Sequence, residues 1–272
     1  MTKQTIHSLS AILAAVVLTG LLVAPPAIAG ESAQQLDQQK LTELGNWQKA
    51  ASEQRARRLV AQLRRELAPV EDQIRNHPFL DALEAGQVPV ETLQGFAVEE
   101  YYIIQSDLRS QALLTSRFAV TPSSDFFRGL LGGERIAFDL IRRFGAAVGL
   151  DEADLAAREP RAGGQAFPNA VASLAAFRTD AEAAAAFLLN FGVFGENTAR
   201  MATALQDVYG YSPEEVEFFT FFGTPIPGFE EAAIEVIAAG LEKGAEPRDI
   251  RRAARLLQEY ELQFWDTVAE AP

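Results

Sequence analysis

Two acids seven residues apart, Glu100 and Asp107, are the first groups in this chain placed to do chemistry. They lie within His77–Gln111, where an X-Pro step opens a short helix. A Gly-containing turn and a proline then lead into a second helix from about Val90 onward. At about 100° per residue, a spacing of seven brings the two acids within roughly 20° of one line. Phe96, Ile103, Ile104 and Leu114 belong to the same stripe. Acids inside an apolar stripe are costly to bury without partners, so this pair marks the start of a site. Paired carboxyls in a dry pocket push one pKa up and together supply an acid and a base. Glu99 is expected to face solvent, and Tyr101 and Tyr102 follow on the same helix.

Composition removes most rival chemistries. The 272 residues contain no cysteine, which excludes thiol nucleophiles, thiolate metal sites and disulfides. Only His7 and His77 are available, too few for a His-rich metal centre, and a Ser-His-Asp triad has little to draw on. His77 is expected to cap or pack at the start of its short helix. The pair Gly132-Gly133 has neither a preceding strand nor the spacing of a phosphate loop. With 24 Lys+Arg against 37 Asp+Glu, the net charge of -13 argues against nucleic acid as a partner. No metal and no cofactor are expected.

The elements that must position these acids read as helices throughout. Residues 1–29 have the form of a signal peptide, with Lys3 and His7 before the apolar run Ala11–Val23 and Ala27-Ile28-Ala29 as the cleavage site. The run of about 13 residues is short of the roughly 20 that span a membrane. Export to a periplasm, extracellular space or equivalent lumen is expected, with no stable span after cleavage; an uncleaved N-terminal anchor is the alternative. Residues 30–46 are polar and read as a linker or loosely docked helix. Residues 47–272 then form one helical domain. Trp47 to about Arg75 repeats Leu59, Leu63 and Leu67 at spacings of four, with Arg55, Arg57, Arg58, Arg64 and Arg65 on a solvated face. Further helices run over Phe126–Val148, Asp151–Arg158, Thr179–Val208, Ser212–Phe222, Phe229–Lys243 and Pro247–Ala269. The breaker cluster 159–167 reads as a loop. The sum is an all-α bundle of about seven main helices.

These pieces resemble a known family. The segment HPFLDALEAGQVPVETLQGFAVEEYY is similar to the opening signature of the TenA (thiaminase II) family, which is related to PqqC and shares the heme-oxygenase-like helical bundle. Glu261-Leu262-Gln263-Phe264-Trp265 is similar to that family's closing motif, and Leu188–Glu196 falls where its catalytic cysteine helix lies. The resemblance spans roughly residues 70–268. It implies that Glu100 binds an aminopyrimidine ring and that Glu261 is the catalytic acid. It sets Asn190 at the place of the nucleophilic cysteine, and an amide cannot attack as a thiolate does. Ile103 stands where the family has a pocket tyrosine, while Tyr102 keeps one aromatic.

One subgroup of the family relies on carboxylates, so the resemblance implies acid-base hydrolysis through Glu100, Glu196 and Glu261. Tyr102, Asp107, Asn190, Phe194 and Trp265 complete the expected pocket, whose ligand is a small amine-bearing heterocycle resembling a thiamin fragment. An alternative is a non-catalytic binding or assembly protein on the same fold. A further branch holds two irons; here the central helix lacks its histidine, and its His-containing segment after a double Phe aligns with Phe222, Gly228 and Glu231, leaving Asp107 and Glu196 as candidate remnants. The family's habit of dimers and tetramers makes a homo-oligomer, or a protein partner, an expectation here.

Overall fold

This computed structural model describes residues 33–270, and among them every regular element is a helix. In chain order these are α1 (Ala33–Arg75), α2 (Pro78–Glu84), α3 (Val90–Arg117), α4 (Ser124–Ala147), α5 (Glu152–Ala157), α6 (Ala166–Phe177), α7 (Asp180–Asp207), α8 (Glu217–Gly223), α9 (Phe229–Glu242) and α10 (Pro247–Ala269). Seven have twelve residues or more, but the set differs from the expected one: α6 is not among those expected, and the helix expected over Ser212–Phe222 is the shorter α8, starting at Glu217. The proposed signal segment 1–29 lies outside the described residues. Among the described residues, no helix is long and apolar enough to cross a membrane.

The described residues divide into two units, one up to Gly45 and one from Asn46 onward. In the first, the expected polar linker over 30–46 is helical from Ala33. Its Ala, Gln, Leu, Lys and Glu residues are strong helix formers, and the single Gly45 costs only about 1 kcal/mol inside a helix. In the second unit, α1 buries Leu59, Leu63 and Leu67 and turns all five of its arginines from Arg55 to Arg65 outward.

Local signals set the helix starts. The His77 ring accepts from the Phe79 N–H at 3.3 Å, opening α2 with Pro78 in its first turn. Thr179 and Glu182 form a reciprocal capping box at the start of α7. The loop expected over 159–167 ends two residues early, because α6 begins at Ala166. Its Pro168 falls within the first turn, where the backbone N–H has no intrahelical partner to lose.

Two long helices carry the core. α3 packs against α4, α6 and α10, while α7 packs against α2, α8, α9 and α10. At their centre the Phe96 ring meets Phe219 at 5.4 Å, Phe264 at 5.8 Å and Phe218 at 6.3 Å. The alanine-rich first half of α7 allows close approach. A methyl group on Gly240 of α9 would sit 2.4 Å from the Ala181 side chain. Facing α3, α4, α7 and α10 in this way aims one stripe of each helix at a shared interior.

Candidate functional site

That interior contains a cavity of about 40 Å³ lined by four acids, Glu100, Asp107, Glu134 and Glu261. One water takes roughly 10–15 Å³ on this scale, so the space holds a few waters as it stands. Ile103, Ile104, Phe167 and Phe264 form its buried walls, and the half-buried rings of Phe191, Phe194 and Phe222 line the rest. Asn190 is its one neutral polar residue, and no Lys, Arg or His lines it.

Helix geometry decides which residues reach it. On α3 the lining residues Glu100, Ile103, Ile104 and Asp107 follow the i, i+3, i+4, i+7 pattern of one face. Tyr102 lies about 200° around from Glu100. Its hydroxyl donates to the Ala156 carbonyl at 2.9 Å, away from the cavity, in contrast to the expected ligand role. Glu99 corrects a different expectation. It is 2% exposed rather than solvent-facing, and accepts from the Arg161 N–H at 2.8 Å, Arg161 Nε at 3.1 Å and Gln165 Nε2 at 3.1 Å. It ties the 159–165 loop to α3.

On α7 the cavity receives Asn190, Phe191 and Phe194. Glu196, expected among the catalytic acids, points elsewhere. Six residues past Asn190 it is about 240° around the helix, its side chain is 58% exposed, and it pairs with Arg75 at 2.5 Å. From α10, Glu261 is 2% exposed and Trp265 stands one turn behind it, outside the lining. Trp265 Nε1 donates to Glu261 Oε1 at 2.7 Å, and Asn190 Nδ2 donates to Oε2 at 3.1 Å. Behind Asn190 a polar chain continues, through Gln258 Oε1 at 3.4 Å, then Gln258 Nε2 to Glu71 Oε1 at 2.9 Å. Arg75 closes it at Glu71 Oε2, 3.1 Å away.

Glu134 of α4 was not singled out by the sequence reading. It lies seven residues from both Phe127 and Ile141 on a buried stripe, the spacing that identified Glu100 and Asp107. An acid in that stripe was the available signal.

Electrostatically the four carboxyls form one system. Burial, and then the neighbouring Glu261, Glu134 and Glu99 charges, push Glu100 well above the carboxylate range. Asp107 is driven the same way by burial and then by Glu134, Glu100 and Glu261. Burial raises Glu134 to about 8. Glu261 reaches about 7 through burial, held back by its Asn190 and Trp265 hydrogen bonds. Burial thus favours the protonated form of all four carboxyls, least so for Glu261 with its two donors, and acid-base catalysis uses such a difference in environment. Among the described residues, no group of three or more His, Cys, Asp or Glu is arranged to hold a metal ion.

Size and chemistry point to different places on this molecule. A larger groove of about 460 Å³ lies between α6 and α10, with Leu174, Leu256, Leu257 and Tyr260 in its lining. Its arginines are already answered, Arg252 by Asp249 at 3.1 Å and Arg178 by Glu182 at 3.9 Å. The smaller cavity has the unanswered polar groups, and it is the functional candidate.

An all-helical bundle with a central acid pair from α3 and α10 is the class this chain falls into. The sequence model of the TENA/THI-4/PQQC family matches residues 64–271, and the chain belongs to that family. No curated protein matches the sequence. Among solved structures, a TenA homologue from Pseudomonas syringae pv. tomato is 15% identical with a TM-score of 0.66, covering 77% of this chain and 91% of that one. A TenA homologue from Pyrococcus furiosus is 20% identical with a TM-score of 0.63, over 77% and 99% of the two chains. A domain of unknown function from Shewanella denitrificans with a heme oxygenase-like fold is 16% identical, with a TM-score of 0.59 over 77% and 91%. The heme-oxygenase-like all-α fold is thus shared.

Proposed function

We propose that this TenA-family chain takes a small amine-bearing heterocycle, of the kind a thiamin fragment represents, into the acid-lined cavity and hydrolyses a C–N bond there. Glu100 and Glu261 carry the chemistry, with no thiolate. The observation that supports this is the fixed Glu261 carboxyl, gripped on both oxygens by Asn190 and Trp265 and lining one cavity with Glu100.

In the step itself, water adds its oxygen to the carbon while the Glu261 carboxylate takes the water proton. The C–N electron pair leaves with the nitrogen, which receives the proton held by Glu100. The products are an alcohol and an amine, and each acid ends in the other's protonation state. The raised pKa of each member supports these roles, Glu261 near 7 as base and Glu100, pushed well above the carboxylate range by burial, as acid. The segment 1–29 supports a site of action outside the cytoplasm, which separates this chain from the cytoplasmic salvage role that the resemblance implies for the family.

The test is turnover and binding of thiamin and aminopyrimidine fragments by the chain starting at Gly30. Glu261→Gln should keep binding and lower kcat by about a hundred- to ten-thousand-fold. Unchanged turnover in that variant would overturn the assignment. Binding with no turnover in either form would favour the assembly or carrier reading instead.

A further inference from the structure

The mechanism above uses two of the four cavity acids and leaves Asp107 and Glu134 without a task. Asp107 differs from Glu261 in one respect. Glu261 has two protein donors, Asn190 and Trp265. Asp107 Oδ1 is buried and has no hydrogen-bond partner among the described residues, although Asp107 lines the cavity and is only 6% exposed. A buried acceptor left unmade costs about 1–3 kcal/mol, more when charged, so the position calls for a donor supplied from outside the chain.

The acids also sort into two pairs along α3. Among the charges acting on Glu100, Glu261 is the strongest, and among those acting on Asp107, Glu134 is. Seven residues separate the α3 members, a rise of roughly 10 Å along the helix. Between them the lining is Ile103 and Ile104, with Phe191, Phe194 and Phe222 opposite, a surface suited to carbon and not to charge. No lining cation competes for either pair, and the geometry does not gather three acids around one metal ion. What complements such a site is a donor-rich positive group at each end of an apolar frame.

We infer that Asp107 and Glu134 form a second ammonium subsite, and that the ligand of this cavity is a compact diamine with two basic nitrogens on an apolar spacer. The inference rests on the reading that the cavity is the ligand site, and it narrows the ligand from amine-bearing to doubly basic. The cavity must widen to admit it, and Phe191, Phe194 and Phe222 are the half-buried rings of its wall. Because the acids hold protons in the empty protein, entry of a diammonium ion displaces protons, and affinity rises from pH 6 to pH 8.

The experiment is calorimetric titration of the chain starting at Gly30 with cadaverine, with pentylamine as the single-amine control. Cadaverine should bind at least about tenfold more tightly, a difference of about 1.4 kcal/mol. Its apparent enthalpy should change with the buffer's ionisation enthalpy, reporting proton release. Asp107→Asn and Glu134→Gln should each bring the ratio of the two affinities down to about one, while circular dichroism shows the helical fold retained. Equal affinities in the parent chain, or a ratio that neither variant changes, would overturn the second subsite. Binding of aminopyrimidine fragments without any preference for the diamine would sink this inference and leave the proposed function standing. If no amine binds and manganese or calcium does, both fail.

Discussion

Asn190 Nδ2 donates to Glu261 Oε2 at 3.1 Å, so this amide serves as a clamp on the acid. That bond favours the ionised form of Glu261 and opposes the burial that lifts its pKa to about 7. Asn190→Leu removes the donor, and the Glu261 midpoint should rise above 7, by about one unit for a hydrogen bond worth roughly 1 kcal/mol. Carbon-13 titration of the labelled Glu carboxyls would read it. A midpoint that stays or falls would mean the bond is not holding the charge.

Trp265→Phe tests the other oxygen. The change keeps an aromatic ring against His77 and Phe79 while deleting the Nε1 donor 2.7 Å from Glu261 Oε1. A loss of about 1–3 kcal/mol in urea unfolding is expected, together with a midpoint moved upward. Loss of stability with an unmoved midpoint would assign Trp265 to packing alone.

The pH dependence of stability has a definite sign. Carboxyls whose folded pKa is raised bind more protons in the native state than in the unfolded one, so stability falls as pH rises between the two values. For Glu134 that window runs from about 4.5 to about 8, and Glu100, Asp107 and Glu261 act in the same direction. The ligand-free protein should therefore lose Tm between pH 5 and pH 8, and Glu134→Gln should flatten that fall. Scanning calorimetry across the window decides, and a Tm that climbs with pH would refute the buried-acid account.

Glu196→Gln should be close to silent. An exposed ion pair such as its contact with Arg75 is worth about 0–1 kcal/mol, and the side chain is not part of the cavity lining. Its variant should bind and turn over ligand like the parent, in contrast to Glu261→Gln. A large kinetic defect would restore it to the catalytic set.

The loop held by Glu99 is sterically committed. A methyl group on Gly164 would lie 2.3 Å from Glu99 Oε2, and one on Gly163 would lie 2.1 Å from Thr267 Oγ1. Gly164→Ala should cost about 1–3 kcal/mol by overpacking and expose residues 159–165 to limited proteolysis. Parent-like resistance would show that the loop yields without loss.

Much of the fold was legible because helices announce themselves locally. The spacing of Leu59, Leu63 and Leu67 marked the buried side of α1, and the run of small and apolar residues from Thr179 marked α7. Stripe membership identified Glu100 and Asp107, and the resemblance contributed Glu261 from its closing motif and Asn190 from the segment Leu188–Glu196. The same rule applied to Glu134 would have found the fourth acid. Glu134 directly follows the Gly132-Gly133 pair, which the sequence reading weighs only as a phosphate loop.

The sequence by itself determined the helical class, the missing thiol and imidazole chemistry, and an acid stripe on α3, since each follows from residue type and a period of 3.6. It could not determine which helix faces meet. Glu99 and Glu196 show the reason. Each is about as polar and as close to the site in sequence as the residues that line it, yet Arg161 and Gln165 bury one and Arg75 draws the other to the surface. Partners far apart in the chain decide which carboxyls are buried and which of those find donors. Only the packing of α3, α4, α7 and α10 made four scattered acids into one cavity.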